Sequence, residues 1–194
     1  SLAEEYPQLR VIHKANGGKR KAVATGFYNS SGDYVVLIDS DSVVDEKAIE
    51  ELMKALSNND EVGGAVGNCK VLNADKNFLT KCQDAWYDYA FNIHKTTEST
   101  FGNVLCCSGC LSAYKREAIS QFIPYWEAVE VQNSDDRDLT SYTMATTWAK
   151  QELLSISGQL KRAMAQYDDS EDRGLTAHTL TEWQTVYVPS AVVY

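Results

Sequence analysis

What this sequence lacks limits its chemistry first. Lysine and arginine number 18 against 27 aspartates and glutamates, a formal net charge of −9, and the basic residues are scattered. A nucleic-acid surface needs clustered positive charge, so no nucleic-acid partner is expected, and an anionic ligand would have to meet a local cation. The longest apolar runs, such as Tyr34–Ile38, fall far short of the roughly 20 residues that a membrane helix requires. Neither end carries a signal-peptide pattern: Ser1–Arg10 is polar and acidic, and Val186–Tyr194 reads as a strand cut short, so the chain is expected to be a piece of a longer protein. Five cysteines, an odd number in a chain too large to need staples, favour reduced thiols and a cytosolic setting. Cys107 and Cys110 form a C-x-x-C, but Cys69, Cys82, His94 and His178 stand at no zinc-like spacing, so the cysteines are expected to act as small buried hydrophobes. No run rich in Pro, Gly or Ser divides the 194 residues, and a hydrophobic content of 44% can bury a sizeable core, which points to one domain.

What is present alternates between strand and helix. Leu9–His13 predicts a strand, and "NGGKRKAVATGFYNSSG" a glycine-led helix closed by Gly32. The near-continuous apolar stretch Tyr34–Ile38 predicts a parallel strand covered on both faces. Ala48, Ile49, Leu52, Met53 and Leu56 recur at helical spacing behind Asp45 as a cap. Glu61–Leu72 predicts a strand, Phe78–Ile93 an aromatic amphipathic helix, and Val104–Tyr114 a strand broken at Ser108 and Gly109. Ile119–Trp183 is mainly helical in pattern, and Thr185–Val193 returns to strand. The expected fold class is α/β, with a mostly parallel sheet flanked by helices.

Asp39 and Asp41 stand where the second apolar run ends, at the carboxyl end of a strand, where open α/β sheets bind ligands. Alternate residues of an extended segment point the same way, so both carboxylates can face one hard cation. A calcium-binding EF-hand loop is excluded, because Val44 would occupy the position that needs glycine. A solvated turn with Asp45 as helix cap remains open on this stretch alone. "GGKR" offers glycines that admit a close ligand, and Lys19, whose ammonium suits an anion; Arg20 after the lysine excludes a P-loop.

Five stretches occur in order: "NGGKRKA" (16–22), "DSDS" (39–42), "VGGAVGNCKVLN" (62–73), "FGNVLCCSGCLSAYKRE" (101–117) and "SEDRGLT" (170–176). This succession resembles the hyaluronan synthases and the related chitin and chitin-oligosaccharide synthases, which are processive, inverting family 2 glycosyltransferases. The resemblance implies a GT-A-like, Rossmann-like catalytic domain whose first strands would precede Ser1 and whose membrane helices would follow Tyr194. It implies a nucleotide-sugar donor, a UDP-sugar by preference, a growing glycan as acceptor, and work at the cytoplasmic face of a membrane through segments outside this chain. Asp39 and Asp41 would hold Mg2+ or Mn2+, with Asp39 also touching the nucleotide beside Lys19 and Gly18; the ion would neutralise the departing diphosphate. Ser108 and Gly109 would line the acceptor site. The family usually has proline where Cys110 stands, and threonine where Ser42 stands. A single-transfer enzyme acting on a lipid or protein, or an inactive nucleotide-sugar-binding module, are the alternatives.

An inverting transfer needs a carboxylate base opposite the leaving group. Two segments match the family's acidic motif, "SDDRDLTSYT" from Ser134 and "SEDRGLTAHT" from Ser170. Distance along the chain from "CCSG" favours the first, and the strand-like sequel favours the second. The expectation is therefore Asp172 as base, with Glu171 beside it and Arg173 orienting the loop. Asp136 would then begin a helical insertion at about 134–169, away from the reacting centre. In the aromatic helix, Trp86 and Tyr87 at helical spacing are expected to be core more than a sugar platform.

Overall fold

Strands form where the apolar runs fall. The computed structural model describes residues 5–128, 135–144 and 183–194. Tyr34–Leu37 (β1), Val62–Cys69 (β2), Ser112–Lys115 (β3) and Gln184–Val193 (β4) make a four-stranded sheet in the order β1-β3-β2-β4. β2 and β4 run parallel, and β3 is antiparallel to both β1 and β2. Three strands therefore share one direction, and β3 alone opposes them. The sheet is mixed in its pairings, within the expected α/β class.

Helices cover both faces. Gly18–Tyr28 (α1), Ala48–Ser57 (α2), Phe78–Asp88 (α3), a π-helical turn at Tyr89–Lys95, Thr96–Thr100 (α4), Arg116–Ile119 (α5), Ile123–Glu127 (α6) and Asp135–Met144 (α7) follow in chain order. Alternation along the strands sorts side chains between two cores. Ala65 of β2 and Ala113 of β3 join Leu52 and Leu56 of α2 on one face. Val66 and Tyr114, the next residues, join Phe27, Trp126 and Leu139 on the other. β2 lies between β3 and β4 and is buried from Val62 to Asn68, which accounts for its uncharged sequence.

Four local expectations are corrected. Leu9–His13 forms no strand, because among the described residues no strand runs beside it to take up its backbone groups, and Val11 and Ile12 are exposed. The strand expected from Val104 starts only at Ser112, the residues before it forming a loop. Asp45 stands outside the first turn of α2, its carboxylate accepting from the Lys47 N–H at 3.0 Å instead of capping from within. The aromatic helix is core only in part: Phe91 is buried and Tyr87 packs against the same core, but Phe78 and Trp86 are 83% and 64% exposed, and among the described residues nothing packs over their side of α3. Its start is secured by a capping box, Asn77 and Thr80 each accepting the other's backbone N–H at 3.0 Å.

The beginning of the expected insertion is also part of the core. Leu139, Thr140, Tyr142, Thr143 and Met144 of α7 are buried, and Tyr142 stacks on Phe122 with ring centres 4.2 Å apart. Residues 145–169 lie outside the described residues. α7 is fastened to α1 by Arg20, which is 5% exposed. Its guanidinium donates to Asp135 and, at 2.7 Å, to Asp138, and lies 5.5 Å from the Trp126 ring centre. Removing one partner of a buried ion pair costs about 3–5 kcal/mol. Arg20→Ala is therefore expected to lower unfolding stability by that amount in urea denaturation, whereas Lys21→Ala on the exposed side of the same helix changes it by less than about 0.5 kcal/mol.

Candidate functional site

The start of α1 is shaped by Asn16 and two glycines. Gly18 has φ 85°, a left-handed conformation that a side chain would strain, and its N–H donates to Asn16 Oδ1 at 3.1 Å. This entry turns Lys19 and Arg20 in different directions: Arg20 goes into the core, and Lys19 goes toward the end of β1.

The acidic stretch after β1 is a turn. The Asp39 carbonyl accepts from the Ser42 N–H at 3.1 Å, so the alternation that would aim both carboxylates one way stops at Leu37. Beyond the turn the chain is tied to the end of β4 by Val43 N–H to Tyr194 O at 2.7 Å and Tyr194 N–H to Val43 O at 2.9 Å. Asp41 is exposed, whereas Asp39 bonds Lys19.

Lys19 stands between two acids from distant parts of the chain. Its Nζ lies 2.9 Å from Asp39 Oδ1 and 3.3 Å from Asp136 Oδ1. The other Asp136 oxygen accepts the Gly109 N–H at 2.7 Å. A Cβ at position 109 would strike the Lys19 ammonium and lie 2.9 Å from Asp136, so any other residue would have to displace the lysine from its two carboxylates. Partial burial pulls the Lys19 pKa down, but the Asp39 bond and the charges of Asp136 and Asp39 outweigh it, leaving the ammonium above its ordinary value and charged. An open groove of about 340 Å³ runs from Phe27 along β1 to Lys19, Asp39 and Gly109.

The loop that carries Ser108 and Gly109 is stapled from both sides. Buried Lys95, at the end of the π-helical turn, donates to the Cys106 carbonyl, and Glu98 accepts the Leu105 N–H at 3.3 Å. On the other side the Thr140 hydroxyl accepts the Cys107 N–H at 2.8 Å, shares a bond with the Tyr114 hydroxyl at 3.2 Å and donates to the Asp136 carbonyl at 2.6 Å. Cys107 is the buried small hydrophobe expected, its thiol pushed up to about 12 by burial.

The structure thus brings together Gly18, Lys19, Asp39, Gly109 and Asp136. The expectation that Asp136 stands apart from the sheet end is corrected: it does begin a helix, but Arg20 and Thr140 hold that helix against α1 and the loop. Asp172, Glu171 and Arg173 lie outside the described residues. Sequence reasoning missed Thr140, Arg20 and Lys95. The short distance along the chain from "CCSG" to "SDDRD" was the signal for Asp136.

Comparison with known proteins supports the resemblance. The profile of glycosyl transferase family 2 matches residues 1–123. Hyaluronan synthase of Streptococcus pyogenes is 36% identical over 157 residues, covering 74% of this chain and 37% of that protein. Hyaluronan synthase 3 of Homo sapiens is 32% identical over 161 residues, covering 75% of this chain and 29% of that protein. The chain therefore spans between 29% and 37% of the length of these relatives. Among the described residues no helix is long and apolar enough to cross a membrane.

Thr140 supplies the test of this geometry. Thr140→Val keeps the shape and removes the hydroxyl, leaving the buried Cys107 N–H without its partner, at about 1–3 kcal/mol. Amide exchange followed by NMR is expected to show faster exchange at Cys107 in the variant, with the amides of β2 slowed or unchanged relative to it.

Proposed function

Because the chain belongs to glycosyl transferase family 2, we propose that it is the catalytic core of a longer enzyme that builds a polysaccharide by inverting transfer from a UDP-sugar. The observation that carries this reading is the Lys19 ammonium held between Asp39 and Asp136, with Gly109 closing the other side of Asp136. One cation and two carboxylates from three separate segments meet at the end of a strand, which is the composition that transfer from a diphosphate needs.

Each residue has a role in that reaction. Lys19 meets the charge of the diphosphate. Its present partners are partly exposed, and bridges of that kind contribute only about 0–1 kcal/mol, so the ammonium can turn to a phosphate at little cost. Asp39 and Asp41 offer hard oxygen donors on one turn. Hard oxygen donors of this kind suit Mg2+ or Mn2+, ions that take one or two carboxylates and complete their shell with phosphate oxygens and water. Such an ion supplies charge neutralisation as the diphosphate leaves. Asp136 takes the proton of the acceptor hydroxyl as that oxygen bonds to the anomeric carbon, and the electrons of the breaking bond pass to the diphosphate. Ser108 and Gly109 lie on the acceptor side, where the stapled loop fixes the approach. The relatives' names favour hyaluronan or a related polymer as product, and we place the reaction at the cytoplasmic face of a membrane, through segments outside this chain.

The choice of Asp136 over Asp172 rests on its contacts with Lys19 and Gly109 and is decided by paired variants of the longer protein. Asp136→Asn is expected to lower turnover by about a hundredfold or more while donor binding survives, and Asp172→Asn to leave turnover near normal. The opposite pattern moves the base to the second copy. Calorimetry with uridine diphosphate and manganese tests the donor side: Asp41→Ala is expected to abolish the metal-dependent part of binding, and unchanged affinity would remove Asp41 from the metal site.

A further inference from the structure

We propose that Cys69 and Cys110 form a reversible disulfide site between the end of β2 and the loop that presents Gly109 to Asp136. Val66 of β2 faces Ser112 of antiparallel β3, and the Gly67 N–H bonds the Leu111 carbonyl at 2.9 Å, so the two chains are still adjacent two residues before Cys69 on one side and one residue after Cys110 on the other. Adjacent chains offset by one residue place α-carbons about 5–6 Å apart, within the window for a disulfide.

In a regular ladder such neighbours would point to opposite faces. Here the pairing of β2 with β4 shifts register between Gly67 and Asn68, and β3 has not yet begun at Cys110, so both side chains are re-aimed. The result is that both side chains pack against the same two cores, at the seam where the layers meet. The mutual interaction of the two thiols shifts both, lowering Cys69 below its ordinary value and raising Cys110.

Access and anchoring differ between the two. Both cysteines are half-buried, unlike fully buried Cys107. Cys69 is fixed by β4, since it pairs with Val193 and the next N–H, that of Lys70, bonds Val193 at 2.8 Å. Cys110 belongs to a turn and supplies the movement. With a peroxide as oxidant, the Cys69 thiolate attacks one peroxide oxygen, the O–O bond breaks, and hydroxide leaves to be protonated as water. The Cys110 sulfur then displaces a second water from the sulfenic acid, so both thiols are oxidised and one peroxide is reduced. The bond would tie the Gly109 loop to β2.

The test is independent of enzyme activity. The purified protein is treated with stoichiometric hydrogen peroxide, digested without reductant and analysed by mass spectrometry. The expected result is a Cys69–Cys110 linked peptide pair, a loss of two titratable thiols, and recovery of both with dithiothreitol. Cys110→Ser is expected to leave Cys69 as a sulfenic acid trapped by dimedone, with no linked pair. Retention of all thiols after oxidation, or links made only by Cys82 or Cys106, would overturn the proposal, and because the readout is covalent mass, neither result bears on whether the chain transfers sugar.

Discussion

Two adjacent cations at the start of α1 meet three acids at the start of α7, and the rest of the site depends on that meeting. The two contacts differ in kind. Arg20 is buried with Asp135 and Asp138, where loss of one partner is expensive, so this pair decides where α7 sits. Lys19 with Asp136 is partly exposed, where a bridge contributes little and is readily exchanged. The strong pair therefore sets position and leaves the weak pair free for chemistry. Spacing makes the division possible. On a helix, Asp135 and Asp138 share a face while Asp136, about 100° round from Asp135, looks elsewhere.

The loop between Val104 and Leu111 is the second part of the same construction. It has no strand partners over most of its length, so its backbone groups are satisfied by side chains: Lys95 and Glu98 from one side, Thr140 and Asp136 from the other. A loop held this way is rigid only while both helices stay docked. The π-helical turn that ends at Lys95 adds the extra residue that carries the lysine inward, over the Phe91 ring at 5.2 Å.

Legibility in the sequence followed the range of the forces involved. β1, β2, β4, α1 and α2 were readable because periodicity reflects burial on one or two faces, a local signal. Lys19, Gly18 and Asp39 stood out by type, as groups suited to a phosphate-bearing ligand, and Gly109 as a break in a strand where a sugar could approach; the structure brings the four together. Asp136 was visible but ranked second, because its contacts join segments more than a hundred residues apart in the case of Lys19, and no local pattern encodes that. Leu9–His13 and the Trp86 side of the aromatic helix misled for a related reason: apolar spacing states that a face prefers cover, not that cover is present. The acidic turn misled because alternation was extended past Leu37, where strand geometry ends.

β1 has its own consequence for handling the protein. It pairs with β3 on one side only and, among the described residues, bounds the sheet, with Tyr34 and Ile38 exposed at its two ends. A short apolar edge of this kind invites a second copy to add its own β1. Asp33 and Asp39 flank the run Tyr34–Ile38, so two copies approaching edge to edge would bring like charges together at both ends. Flanking charges of this kind are how sheet edges are kept from pairing, and at Asp39 that charge is shared with Lys19, so whatever draws the lysine away also strengthens the charge at the edge.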